Sequence, residues 1–220
     1  MMYRKLAWFG LYAVALVLVA ARPGVTAWAA EETPLAPETK EIGKVPYVPT
    51  PQEVVDAMLK MADVKSSDVV FDLGCGDGRI VVAAAKMGAR RCYGVDIDPE
   101  RIKEARELAK KEGVEKKCVF MQRDVFRTNV SSATVVTMYL LPSYNAKLQP
   151  RLERQLKVGS RVVSHDFDMP PSWVPVETKE VTVDSNPHKV FLWKITPEMK
   201  KRAREAGAAA KKAKKTETPM

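Results

Sequence analysis

Val69-Val70-Phe71-Asp72-Leu73-Gly74-Cys75-Gly76-Asp77-Gly78-Arg79-Ile80 is the stretch whose reading decides the fold. A short apolar run carries an acid near its end, passes through three alternating glycines and opens into a helix-like stretch, Arg79 to Met87. That pattern predicts a buried parallel strand, a tight backbone loop and then a helix. Glycines at 74, 76 and 78 let the backbone approach a ligand closely and take φ values that other residues avoid. A glycine loop alone is shared with dinucleotide-binding folds. The form here is Asp-x-Gly-x-Gly-x-Gly, and it differs from theirs in placing the acid inside the strand end.

Further acids follow at matching intervals. A second strand, Arg91 to Asp96, ends in a carboxylate about 20 residues after the glycine loop, the offset at which an acid binds a ribose diol. A carboxylate suits that task because it accepts two hydroxyl hydrogen bonds at once. A third strand, Cys118 to Gln122, leads to Arg123-Asp124. Any one of these acids could equally be a helix cap or a loop carboxylate. Asp98-Pro99-Glu100 is such a case, a cap with Pro at the first helical position.

The spacing Asp72-x-Gly74-x-Gly76-x-Gly78, with Asp96 and Asp124 behind it, resembles the first motifs of class I S-adenosylmethionine (SAM)-dependent methyltransferases. Val45-Pro46-Tyr47-Val48-Pro49-Thr50-Pro51 and Met138-Tyr139-Leu140-Leu141-Pro142 narrow the resemblance. Together they look like the subfamily of mitochondrial lysine methyltransferases that modify the ATP-synthase c-subunit and the adenine-nucleotide translocase, with exported bacterial relatives. The resemblance runs from about Val45 to Ile195. It implies SAM as cofactor, bound by Tyr47, Thr50, Asp72, Gly74, Cys75, Gly76, Asp96, Ile97, Asp124 and Val125, with Asp124 accepting from the adenine amino group. Tyr139 and His165, at or just past the strand ends, are the catalytic candidates, and no metal is expected. Asp96 stands where the mitochondrial enzymes usually have Glu, which preserves the ribose role. Tyr139-Leu140-Leu141-Pro142 stands where enzymes methylating nucleic-acid amines often carry Asn/Asp-Pro-Pro-Tyr, so no specific nucleic-acid partner is expected.

The expected substrate is a protein lysine, with a small molecule or lipid as the alternative; a further alternative is an exported SAM-binding module without turnover. A lysine nucleophile must be neutral, and a free one has a pKa of about 10.4. A desolvated, aromatic-lined channel would lower it. Tyr47, Tyr139, Tyr144, Phe167 and Trp173 are candidate lining residues, and core packing would explain each equally. His165, after strand five, could take a proton, orient substrate or serve as a structural histidine.

Along the chain, strand and helix patterns alternate. A helix from about Pro51 to Met61 has Thr50 as its expected N-cap. A fourth strand spans Ala133 to Tyr139. A helical stretch from Asn145 to Leu156 is expected to break at Pro150. A fifth strand, Arg161 to Ser164, precedes two β-like runs, Glu177 to Val183 and Val190 to Ile195, that flank Asn186-Pro187 as a closing hairpin. The expected fold is α/β and Rossmann-like: a mostly parallel sheet with a C-terminal antiparallel hairpin and helices on both faces. Ligands of such sheets bind at the carboxyl ends of the strands, where Asp72, Asp96, Asp124, Tyr139 and His165 fall.

The 220 residues carry a formal net charge of +9 and three cysteines, Cys75, Cys92 and Cys118. These lie in or beside predicted strands and read as buried apolar residues. Neither they nor the two histidines, His165 and His188, have metal-ligand spacing. Arg4 and Lys5 precede an uncharged run from Leu6 to Ala21, and Ala27-Trp28-Ala29 supplies small residues two apart. Residues 1–29 therefore read as a secretory signal peptide, with an uncleaved N-terminal anchor as the competing reading, so the protein is expected to be periplasmic or secreted. Residues 30–44 read as a linker, 45–197 as the domain, and 198–220 as a basic, solvated tail, partly helical or disordered, offering a weak contact to anionic membranes.

Overall fold

The computed structural model describes residues 47–216, with side chains described as far as residue 212. The expected signal peptide and linker lie outside the described residues. Among those described, no helix is long and apolar enough to cross a membrane.

Seven strands form one sheet in the order β3-β2-β1-β4-β5-β7-β6. They are β1 (Val69–Leu73), β2 (Arg91–Asp96), β3 (Cys118–Gln122), β4 (Val135–Met138), β5 (Arg161–His165), β6 (Glu177–Val183) and β7 (Asn186–Lys194). The first five are parallel, and β7 runs antiparallel between β5 and β6. All five residues of β1 are buried, because helices cover both faces at the centre of a parallel sheet. Its side chains alternate between the two faces, as the strand period demands. Val70 joins the apolar layer built with α1 (Gln52–Met61), α2 (Arg79–Lys86) and α3 (Pro99–Lys111). Val69, Phe71 and Leu73 join the layer with α4 (Pro142–Gln155), Trp173 and Trp193. The α3 start is as read from sequence: Asp98 accepts from the Glu100 amide at 2.9 Å and Pro99 follows it.

Four expectations are corrected. Thr50 does not cap α1. The cap position is Pro51, no side chain caps it, and the Thr50 hydroxyl is taken by His165 at 3.1 Å. Pro150 does not break α4, which runs unbroken from Pro142. The proline removes one backbone donor, while Leu148 and Leu152 hold the helix to the core.

The hairpin turns at Asp184-Ser185, not at Asn186-Pro187. Both residues have positive φ, 46° and 67°, and Val183 pairs with Asn186 across them. A two-residue loop of this kind matches the right-handed twist of the strands.

The C-terminal segment, expected to be a solvated tail, partly helical or disordered, is a helix docked on the domain, α5 (Pro197–Thr216). Its first turns are docked. Met199 packs against the core. Lys200 Nζ donates to the carbonyls of Glu153, Arg154 and Leu156 at 2.8, 2.7 and 2.7 Å, and Arg202 pairs with Glu153. The carbonyls at the end of α4 have no helical partner, and a cation is the group suited to them.

Candidate active site

The glycine loop joins β1 to α2 and bends over the end of β2. The amides of Gly74 and Cys75 donate to the Val95 carbonyl at 2.8 and 3.0 Å. Gly74, Gly76 and Gly78 take φ of 79°, 51° and 80°, values that favour glycine. The space favours it too. A Cβ on Gly76 would lie 2.3 Å from the Tyr47 ring, and one on Gly74 2.8 Å from Leu140. Cys75 itself is buried, and burial pushes its thiol far up, so it contributes backbone and packing rather than a thiolate.

Asp96 stands at the end of β2. Its Oδ2 accepts from the Gly76 amide at 2.9 Å and its Oδ1 from the Asp98 amide at 3.0 Å. Each carboxylate oxygen has two lone pairs, so the pair keeps capacity for a diol. Asp124 follows β3, beside it: the Arg123 amide donates to the Asp96 carbonyl at 2.8 Å. Asp124 accepts from the Phe126 amide at 2.7 Å, capping a single 3-10 turn, Val125–Arg127. Ile97 is exposed at the rim, and Val125 packs on the core.

Asp72 is buried in β1 and accepts from the Thr137 hydroxyl of β4 at 2.7 Å. Burial pushes its carboxyl up to about 7, the Thr137 bond works against this, and the charges of Asp96 and Asp77 add to the rise. Burial would also raise Asp77, but the Arg79 guanidinium holds it below the usual carboxylate range. Arg79 then donates to the Thr50 carbonyl at 2.9 Å. Tyr47 is held between this group and Arg101, whose guanidinium lies 4.6 Å from the ring centre.

A second cluster sits at the ends of β4 and β5. The Tyr139 ring lies 4.0 Å from the His165 ring and 5.8 Å from Phe167. His165 is fully buried, and burial pushes it down to about 4 against the opposing pull of Asp166. Burial and the Asp166 charge raise the Tyr139 hydroxyl. Thr50 joins the clusters, its carbonyl bound to Arg79 and its hydroxyl to His165. Of the other lining candidates, Trp173 is a core residue that donates to Glu153 at 2.6 Å. Tyr144 packs against Phe126.

Over residues 72–177 the chain matches the family model described as the ANTKMT methyltransferase domain. It is 46% identical over 152 residues to a protein-lysine N-methyltransferase of Saccharolobus islandicus, covering 69% of this chain and 94% of that one. The chain belongs to the ANTKMT methyltransferase family. It is also 34% identical to the mouse adenine nucleotide translocase lysine N-methyltransferase, covering 60% of this chain and 57% of that protein's length. Among solved structures, it resembles an RNA methyltransferase from Salinibacter ruber in complex with S-adenosyl-L-homocysteine. That match has 50% identity and a TM-score of 0.63, and covers 68% of this chain and 95% of the other.

The ANTKMT-family chain is thus a SAM-dependent methyltransferase with the class I sheet. Its residues fit the cofactor: the loop leaves no room for a Cβ at Gly76, and a carboxylate with spare lone pairs stands beside it. Sequence reasoning passed over Asp77, Arg79 and Arg101 as parts of the site. The signal was charge inside and just after the glycine loop for Asp77 and Arg79, and in the first turn of α3 for Arg101, where a solvated face is the ordinary reading. Asp166 and His188 were passed over as well, because only the pairing of β5 with β7 brings them together.

Proposed function

We propose that this ANTKMT-family enzyme transfers the methyl group of SAM to the ε-amine of a protein lysine. The reading is carried by Tyr139, whose ring forms an aromatic wall with His165 and Phe167 just past β4. SAM supplies an electrophilic methyl on a sulfonium, so the protein's work is positioning and desolvation. Asp96, with the Gly74 to Gly78 loop, holds the cofactor; Asp124 and Ile97 flank its base. Aromatic faces attract an ammonium, and the same half-buried surroundings strip its water and favour the neutral amine. Tyr139-Leu140-Leu141-Pro142 stands where enzymes that methylate nucleic-acid amines often carry Asn/Asp-Pro-Pro-Tyr, and this departure argues against RNA as substrate. The 46% identity to a protein-lysine N-methyltransferase supports the same reading.

The test uses isotopically labelled methyl-SAM with total protein and, separately, total RNA from the native cell. Label recovered as methyl-lysine after acid hydrolysis is the expected result. Label in nucleosides, with none in lysine, would overturn it.

We further propose that residues 1–29 direct export and that the mature chain begins at Ala30. N-terminal sequencing from the native cell tests this, and a full-length cytosolic protein would reject it. The basic face of α5, with Lys201, Arg204, Lys211 and Lys212, supplies a weak attraction to anionic lipid that salt screens.

A further inference from the structure

His165, Asp166 and His188 turn three donor atoms toward one point. His165 Nε2 and His188 Nδ1 are 3.1 Å apart. Asp166 Oδ2 lies 3.3 Å from the first and 3.0 Å from the second. The three atoms form a near-equilateral triangle. Donors bound at about 2.0–2.1 Å to one zinc-type ion stand about 2.8–3.0 Å apart at neighbouring positions of an octahedral shell and about 3.3–3.4 Å apart in a tetrahedral one. The triangle therefore has the dimensions of one face of such a shell before any side chain moves.

Two of the three ligands are oriented by a further contact. Thr50 Oγ1 lies 3.1 Å from His165 Nδ1; with the proton on that nitrogen, Nε2 presents a lone pair to the cluster. The Lys189 amide donates to Asp166 Oδ1 at 2.9 Å, which leaves Oδ2 facing the two imidazoles. Asp166 takes a positive φ of 55° to bring its carboxylate there, a conformation that costs a non-glycine residue energy. Metal-binding histidines ordinarily have such a second contact on the far ring nitrogen. Access is open on one side: the His165 side chain is fully buried, while those of Asp166 and His188 keep 26% and 20% of their exposure.

We propose that His165, Asp166 and His188 form a binding site for one divalent first-row transition-metal ion, with a coordination position left to solvent. Two imidazoles and one carboxylate select zinc-type ions over magnesium or calcium, which prefer all-oxygen shells. The site adjoins the Tyr139 cluster, since the Tyr139 hydroxyl approaches Asp166 Oδ2 at 3.5 Å. An ion there would tie the end of β5 to β7 and, through Thr50, to the segment entering α1. The inference concerns binding and does not depend on which nucleophile is methylated.

The test is titration of the chelator-treated full chain with Zn²⁺ by calorimetry and with Co²⁺ by visible absorption. One ion per chain is expected, with d–d bands of nitrogen and oxygen ligation and a rise in Tm. His188→Ala and Asp166→Asn should each weaken Zn²⁺ at least tenfold and remove the Tm rise. Thr50→Val should weaken it about 10- to 100-fold as a loss of orientation. His188 is partly exposed, so His188→Ala should leave the metal-free melting temperature nearly unchanged. Absence of stoichiometric binding would overturn the proposal. So would equal binding by wild type and both ligand variants, or thiolate-to-cobalt charge-transfer bands, which would place the ion on the cysteines.

Discussion

The carboxylate of Asp96, at the end of β2, accepts the backbone amide of Gly76, 20 residues earlier, at 2.9 Å. One residue thereby sets the shape of the glycine loop and keeps acceptor capacity beside it. Asp96→Ala should weaken SAM about ten- to a hundred-fold, the loss expected for charge-assisted hydrogen bonds worth roughly 1.5–3 kcal/mol. Asp96→Asn keeps an acceptor for the Gly76 amide and should lose less. Calorimetric titration with SAM reads both, and unchanged affinity in Asp96→Ala would end the ribose assignment.

Gly76 permits the closest approach in the site. Gly76→Ala would push the Tyr47 ring away from a Cβ only 2.3 Å from it and would strain a backbone at φ 51°. Tyr47 is partly exposed and can swing, so the fold should survive while SAM binding falls at least tenfold. Gly74→Val should do more harm, since Leu140 is the obstacle and the φ of 79° disfavours a β-branched residue. A Gly76→Ala protein that binds SAM normally would show that this loop does not cradle the cofactor.

Asp72 should make the SAM-free protein less stable as pH rises. Its carboxyl is pushed up to about 7 in the fold from an ordinary 3.8. Between those values the folded state holds a proton that the unfolded chain has released, so stability falls with rising pH, and the full cost is present above 7. Asp72→Asn lacks this slope. Denaturant melts at pH 5 and pH 8 should show Asp72→Asn gaining about 1–3 kcal/mol on wild type over that interval. Parallel curves would mean that Asp72 is ionised throughout.

The start of α5 should matter for stability and its end should not. Lys200 meets three carbonyls at the close of α4, and Arg202 pairs with the buried Glu153. Truncation after Pro197 should lower Tm by several degrees, because Glu153 loses a partner and the α4 carbonyls lose their donor. Truncation after Gly207 retains these contacts and should leave Tm and SAM affinity unchanged. Equal melting of all three chains would show that the docked turns contribute nothing.

The sequence alone determined the parts of this protein that are local in the chain. Asp72 through Ile80 prescribed strand, loop and helix because a strand end, three alternating glycines free to take positive φ and a helix-like stretch follow one another directly in the chain. Asp96 was placed by its offset from that loop, and Asp98-Pro99 marked a helix start through its own backbone. Tertiary structure decided wherever a side chain had two partners to choose between. Thr50 reads as a cap, yet its hydroxyl goes to His165, 115 residues away, because a buried imidazole nitrogen needs a partner. Lys200 and Arg202 read as a solvated run until the end of α4 presents them with bare carbonyls and Glu153. His165 and His188 have no meaningful spacing in the chain. They meet because β7 turns back antiparallel beside β5, and that pairing brings the Asp166 carboxylate between them.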